Sequence, residues 1–518
     1  MAQPPYILAI DLGTSGPKVA LVASHGVVAA SSFEPVELQL FPGGGAEQDP
    51  TAWWTAIGTA ARRLRGADLV PLERIAGISV TAQWSGTVAM GSDGEAIGNA
   101  IIWMDSRGAR YVEDLIGGPV RFQGYDPRKL RKWISLTGGA PAGSGKDSIA
   151  HILYLRHDVA EVYDAAAKFL EPKDYLNYRL TGKMAASFDS IALHWLTDNR
   201  DPRSIDYDED LLGYAGLDRK RLPDLFPATD VIGALTDGAA AHLGLVAGIP
   251  VIAGTPDVLS AAIGAGTTAD YAGHLYIGTS SWLTCHVPFK RTDIVHGIAS
   301  LPAAVPNRYL AANEQETAGK ALEWLAGVLY PDGVDRAEVY AEMNEIAAEV
   351  DPGSGGVIFT PWLFGERTPV EDSTLRGGFF NQSLETGRAE MIRAVFEGVA
   401  YNSRWLLGYV EKFAKKRLDP IVMVGGGARS DLWCQIHADV LRRTIYQAAD
   451  PVMVNVRGAG LLAHAALGHI DWADIPGLVP MAATYAPTRS HAATYDRLYD
   501  AFRRIYKANR RTYRKLNR

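Results

Sequence analysis

The chain has 518 residues, 47% of them hydrophobic and 21% charged. That is too long for one core at about 100–200 residues per domain, and too apolar for a disordered chain. Its formal charge of −7, from 58 acidic against 51 basic residues, gives no electrostatic case for binding nucleic acid or another polyanion.

The first residues, MAQPPYILAIDLG, carry no basic flank and place an acid straight after a short apolar run, so neither a signal peptide nor a membrane span is expected. Apolar and β-branched runs predict strands at Tyr6–Ile10, Lys18–Ala23 and Val27–Ser32, with a turn at His25-Gly26. AEQDPTAWWTAIGTAARRLRG predicts a helix with Asp49 as cap, Pro50 in the first position and Trp54, Ile57, Ala61 and Leu64 in one stripe. Ile75–Ala82 predicts a buried strand leading to QWSG, and Ala100–Arg107 another that ends in polar groups, where ligands of open α/β sheets bind. Residues 201–235 predict an irregular connection with short helices.

The pattern then restarts. Ile249–Gly266 predicts strand, acid-bearing turn and small-residue helix, and Tyr271–Val287 predicts strand, Gly-Thr-Ser-Ser loop and strand. GTSG at Gly13–Gly16 recurs as GTSS at Gly278–Ser281, which suggests two related halves with a boundary near residues 240–250. A long helix is expected over Glu390–Lys415, and strand, triple-glycine turn and helix over Ile421–Leu441. The last sixteen residues hold eight bases and no acid, expected as a solvated helix end whose cations suit the terminal dipole. Cys285 and Cys434 stand far apart, which argues against a disulfide scaffold and fits a reducing, cytoplasmic compartment.

A turn of Gly, Thr and Ser can aim several N–H groups at one anion. GTSGPK is followed by a strand and lacks the Walker spacing, and Asp11–Gly16 lacks the dinucleotide fingerprint. What remains is a hairpin loop for phosphate with an acid inside the strand. A carboxylate beside polyphosphate is tolerable with a cation between them, so Asp11 is read as holding or orienting hydrated Mg²⁺; the alternative is a strand-end Asx turn.

The order IDLGTSGPK, EQDPTAWW, QWSG, WMDSR, EPKDYLNYRLTG, GTPDVLSAAIGAG, IGTSS, PWLFGERTP, GGFFNQS, AVFEGVAYN and VGGGARSDLW resembles the FGGY carbohydrate kinases, most closely their xylulose kinase branch. The likeness runs from about Tyr6 to about Leu467. It implies an α/β fold of two actin-like (ribonuclease H-like) domains with ATP and sugar in the cleft between them. Domains are expected at residues 1–245, with sugar contacts and the first phosphate loop, and 246–485, with the catalytic acid, second phosphate loop and adenosine loop. A basic helical tail is expected at 486–518.

By the same resemblance, Asp257 matches the family's catalytic aspartate, a base for the sugar hydroxyl; the other reading is a helix cap. Gly13, Thr14, Ser15, Gly16 and Lys18 match the first phosphate loop and Gly278, Thr279 and Ser280 the second. Gly425, Gly426, Gly427 and Ala428 match the adenosine loop, with Ser430 or Asp431 near the purine and Gly319 lining the nucleotide. Gln83, Trp84, Ser85, Trp103, Asp105 and Arg107 fall on the sugar side, together with Asp257. Glu366, Arg367 and Thr368 are expected to fix a loop over the cleft.

The chain departs from its relatives where the sugar is read. Xylulose kinases usually show Gln-Met-His-Gly where it has Gln83-Trp84-Ser85-Gly86, and Asp-Asn where it has Asp257-Val258. Losing two polar contacts weakens or redirects pentulose binding. The reading is an ATP- and Mg²⁺-dependent kinase of a ketopentose such as D-xylulose, cytoplasmic, homodimeric, with no nucleic acid or membrane partner. The alternatives are another pentulose, a tetritol or a hexulose, or an actin-like ATP-dependent sugar sensor.

Overall fold

The structure is a computed structural model that describes residues 5–67, 70–331 and 333–517. Its first sheet has six strands in the order Val231–Ala234, Pro250–Ile252, Ile75–Ala82, Tyr6–Gly13, Gly16–Ala23 and Val28–Phe33. The three N-terminal strands form an antiparallel meander, pairing Asp11 with Lys18 and Gly13 with Gly16. Ile75–Ala82 and Pro250–Ile252 then join in parallel. The meander begins as the apolar, β-branched runs predict, and Ile7, Ile10, Val19 and Val22 are fully buried.

The second sheet has five strands in the order Ser281–Thr284, Gly273–Ile277, Ile421–Val424, Ile445–Ala448 and Met481–Tyr485. It repeats the plan: a hairpin, two strands added in parallel, and an antiparallel edge. The short GTSG/GTSS echo therefore reports a real duplication of architecture.

That duplication corrects the domain limits. Pro250–Ile252 occupies in the first sheet the place that Ile445–Ala448 occupies in the second. A division at 245/246 cuts this strand away from its parallel partner. The basic helical tail expected at 486–518 is helical and packs on the second half. It contains the helix Ala492–Leu516, in which Tyr495, Leu498 and Phe502 are buried in the second core, and the Tyr495 hydroxyl donates to Glu397 Oε1 (3.0 Å).

Helix Pro50–Gly66 starts where predicted. Asp49 accepts from Thr51 N (2.8 Å), and Trp53, Trp54, Ile57, Ala61 and Leu64 are buried. Burial of each large side chain is worth roughly 1.5–3 kcal/mol. The long helix is Arg388–Ala414, ended by Lys415 in the left-handed region. The strand expected over Ala100–Arg107 stops at Ile101. Asp105 accepts from the backbone N–H groups of Ala46 and Arg107 (both 2.9 Å) and bends the chain into a turn, a side chain outcompeting a sheet ladder.

Two helices that follow equivalent parallel strands, Asp257–Gly264 and Val454–Ala466, cross where the halves meet. A Cβ on Gly264 would lie 1.9 Å from Val454 O, and one on Gly458 would lie 1.8 Å from Ser260 O. Glycine is thus required at both positions for the helices to touch. Among the described residues, no helix is long and apolar enough to cross a membrane.

Candidate active site

The crossing helices floor a cleft of about 1410 Å³ lined by both halves. Pockets for one small ligand run about 300–1,000 Å³, so this one has room for two. Asp11, Gly13, Thr14, Ser15, Gly16, Lys18, Gln83, Trp84, Ser85 and Trp103 line it from the first half, with Asp257 on the floor and Thr279, Ser280 and Gly426 from the second.

Asp257 is the first residue of its helix, after Pro256. Its Oδ1 accepts from Val258 N (2.8 Å). Burial, and then the charge of Asp11, push its carboxyl up to about 7. Burial also raises Asp11, against the nearby Lys18 ammonium and the Asn455 amide. The helix N-terminus favours the anion, but desolvation wins. The result is a carboxyl that changes state near neutral pH.

Asp11 faces Asn455, the second residue of the other crossing helix, with Asn455 Nδ2 3.5 Å from Asp11 Oδ1. Asn455 Oδ1 is buried and unpartnered among the described residues. An acid and an orphaned amide oxygen at the cleft's base suit a hydrated divalent cation. No group of three or more His, Cys, Asp or Glu spaced to ligate a metal occurs among the described residues, so such an ion would depend on water and a ligand for its other contacts.

The first loop is wired to the predicted sugar side. The Trp103 indole donates to Thr14 Oγ1 (3.0 Å), which donates to Gln83 Oε1 (3.0 Å). Gln83 Nε2 donates to Gln48 Oε1 (2.9 Å), and Gln48 Nε2 closes the ring on Thr14 O (2.8 Å). Gly16, at φ +141°, passes so close to Glu34 that a Cβ would lie 2.0 Å from its carbonyl oxygen. Lys18 Nζ donates to Val452 O across the halves (3.0 Å).

Several predicted residues stand elsewhere. The Asp105 carboxylate is spent on Ala46 N and Arg107 and does not line the cleft. Asp431 Oδ1 accepts from Tyr485 Oη (2.8 Å) and Gln447 Nε2 (3.0 Å), away from the cleft. Gly278 and Gly319 back the second loop: Gly319 N donates to Gly278 O (2.7 Å), and a Cβ on Gly278 would strike the Tyr276 ring. Gly427 packs on Ile277, where a Cβ would lie 2.4 Å from Cγ2. Arg367 pairs with Glu314 and Glu316, and Glu366, raised by burial to about 8, accepts from Glu316 N and Arg367 N; this loop is fixed as expected.

The sequence reading missed Gln48, Lys146, Asp147 and Asn455. Gln48 sat in the quoted EQDP motif, a signal that was there to use. Asn455 meets Asp11 across 444 positions, which no local pattern reveals.

The two halves, their shared strand order and the cleft between them define an actin-like α/β fold. The model of the FGGY family of carbohydrate kinases, N-terminal domain, matches residues 6–264, and that of the C-terminal domain matches 274–467. The chain belongs to the FGGY family of carbohydrate kinases. It is 28% identical to a xylulose kinase of Staphylococcus epidermidis, over 97% of this chain and 96% of that one. Among solved structures, a gluconate kinase from Lactobacillus acidophilus superposes with a TM-score of 0.86 at 26% identity, covering 99% of this chain and all of the other. A ligand-bound xylulose kinase from the same species gives 0.86 at 25%, with the same coverage. The N-terminal match includes Asp257, expected in the C-terminal domain.

Proposed function

We propose that the protein transfers the γ-phosphoryl group of ATP to a hydroxyl of a ketopentose such as D-xylulose. The observation that carries this reading is Asp257, an ionisable carboxyl on the floor of a cleft into which Gly-Thr-Ser hairpins from both halves open. Asp257 Oδ2, which accepts no hydrogen bond from the described residues, takes the hydroxyl proton as the sugar oxygen bonds to phosphorus and ADP leaves with the electron pair of the broken P–O bond. A positioned base contributes about 10²–10⁴-fold; the rest is alignment and charge stabilisation by loop N–H groups.

Asp11 and Asn455 would hold hydrated Mg²⁺, which when bound supplies neutralisation of phosphate charge. The S. epidermidis relative's name supports D-xylulose as the first acceptor to try. The test is sugar-dependent ADP release over a panel of ketoses, polyols and sugar acids. A protein that binds ATP yet turns over none of them is a sensor, not a kinase. A cytoplasmic location and a homodimer belong to the same reading and are checked by fractionation and sedimentation.

A further inference from the structure

The acceptor end of the cleft divides into polar atoms already used and a few left over. Gln83, Thr14 and Trp103 close on one another and on Gln48. The Trp84 indole donates to Ser190 O (2.8 Å), and the Ser85 hydroxyl donates to Lys146 O (2.8 Å). Both Trp84 and Val258 pack against the apolar cluster of Leu259, Ala262 and Leu310. The QWSG segment and Val258 therefore offer the acceptor mostly ring and methyl surface, with their indole and hydroxyl donors already spent. A polyhydroxylated ligand must be read by other groups, because unpaired hydroxyls are costly.

Lys146 and Asp147, just before the helix Ser148–Asp158, are such groups. Both line the cleft. Lys146 Nζ makes no hydrogen bond or direct ion pair among the described residues, although the Glu314 and Glu316 carboxylates act on it from a distance, and it sits 5.5 Å from the centre of the Phe364 ring, which reaches over from the second half. Asp147 Oδ2 is anchored by Ala142 N (2.7 Å) and Trp195 Nε1 (2.8 Å), while Oδ1 accepts nothing from the described residues. The two neighbours do not pair with each other. Arg367, the nearby cation, is already held by Glu314 and Glu316.

We infer that Lys146 and Asp147 are the acceptor-reading pair, and that together they select an α-hydroxycarbonyl edge. Lysine can only donate, which suits a ketone or carboxylate oxygen; an ionised aspartate can only accept, which suits the hydroxyl on the next carbon. Ketoses and aldonates share this edge, and a polyol lacks its carbonyl oxygen. Burial lowers the Lys146 ammonium's pKa and raises the Asp147 carboxyl to about 6, as for polar groups still short of partners. The inference rests on the carbohydrate-kinase reading of the same cleft.

The experiment compares D-xylulose, D-gluconate and xylitol as acceptors for the wild type, Lys146→Met and Asp147→Asn. The wild type should prefer one of the first two over xylitol by tenfold or more in kcat/KM. Lys146→Met should raise that acceptor's KM at least tenfold, leave the KM for ATP within twofold and erase most of the preference over xylitol. The Lys146 side chain makes no hydrogen bond and its ammonium is desolvated, so the melting temperature should not fall. Asp147→Asn, which keeps an anchoring oxygen, should raise the same KM without changing that for ATP. Preference for D-gluconate identifies a carboxylate as the source of the edge, and preference for D-xylulose a ketone. Equal use of xylitol, or an acceptor KM within twofold of wild type in both variants, overturns the inference while leaving the kinase reading intact. Phosphorylation of none of the three overturns the inference, and failure across the wider panel removes the kinase reading as well.

Discussion

The two Gly-Thr-Ser hairpins share a sequence but not a wiring. In the first, the Thr14 hydroxyl is locked between Trp103 and Gln83, and its carbonyl is held by Gln48. In the second, the Thr279 and Ser280 hydroxyls make no hydrogen bond among the described residues, and the loop is braced through its backbone, Thr279 O accepting from Ala318 N (2.9 Å). One loop is tied into the wall of Gln48, Gln83 and Trp103, whereas the other keeps its hydroxyls unbonded among the described residues. Between them, the equivalent crossing helices present an acid at one start, Asp257, and an amide at the other, Asn455. Duplication supplied the frame, and chemistry followed from a few departures from symmetry.

The sharpest break of that asymmetry removes the acid. Asp257→Asn should lower kcat by about 10²–10⁴-fold, the range for losing a positioned base, with the nucleotide's affinity within a few-fold by calorimetry. Unchanged turnover would take Asp257 out of the mechanism.

The hairpins themselves come next. Thr14→Val strands the Gln83 carbonyl and the Trp103 N–H, at a cost of roughly 1–3 kcal/mol per unpaired group. It should lower the melting temperature and raise the acceptor KM about tenfold. Thr279→Val loses no internal bond, so stability should hold while the KM for ATP rises. If both variants act on the same substrate, the contrast in wiring has no functional meaning.

A smaller effect follows from protonation. Asp257 is raised from its ordinary value to about 7, so kcat/KM should climb with pH and level off above about 7. Stability runs the other way. The folded form keeps a proton that the unfolded chain releases near pH 4, so this contribution is full below that pH and is lost as pH rises through about 7. Asp257→Asn should therefore be more stable than wild type at pH 8 by on the order of 1–2 kcal/mol, the cleft being open to solvent, and no more stable at pH 4. Glu366 and Asp147, raised to about 8 and about 6, titrate with the same sign in both proteins and cancel in the difference.

Much of this was legible in the sequence, because the frame rests on local signals. Apolar, β-branched runs mark the meander, Asp49-Pro50 marks a helix start, and the eleven motifs in order mark the family. What was illegible depends on residues distant in the chain. The strand Pro250–Ile252 belongs to the first sheet only because Ile75–Ala82 lies beside it. Asp105 looked like a sugar ligand until Arg107 and Ala46 were seen to take its oxygens, and Asp431 looked like a purine contact until Tyr485 and Gln447 were seen to hold its Oδ1. A motif shows which residue types are present, but the partners that use up their hydrogen bonds are set by tertiary packing.

The triple glycine makes the finest form of the comparison. Three adjacent glycines suggest a ligand at each, yet Gly425 and Gly427 are required by the second hairpin. At φ +87°, a Cβ on Gly425 would lie 2.6 Å from Ile277 O, and one on Gly427 would meet the Ile277 side chain. A Cβ on Gly426 would meet nothing within 4 Å, and this residue lines the cleft. Gly425→Ala should thus destabilise by about 2 kcal/mol or more, from the left-handed backbone and a clash with main chain. Gly426→Ala should leave stability within about 0.5 kcal/mol and act, if at all, on the KM for ATP. Thermal denaturation of the pair separates a glycine that braces the loop from one that leaves room for a nucleotide, and equal destabilisation would assign all three glycines to packing alone.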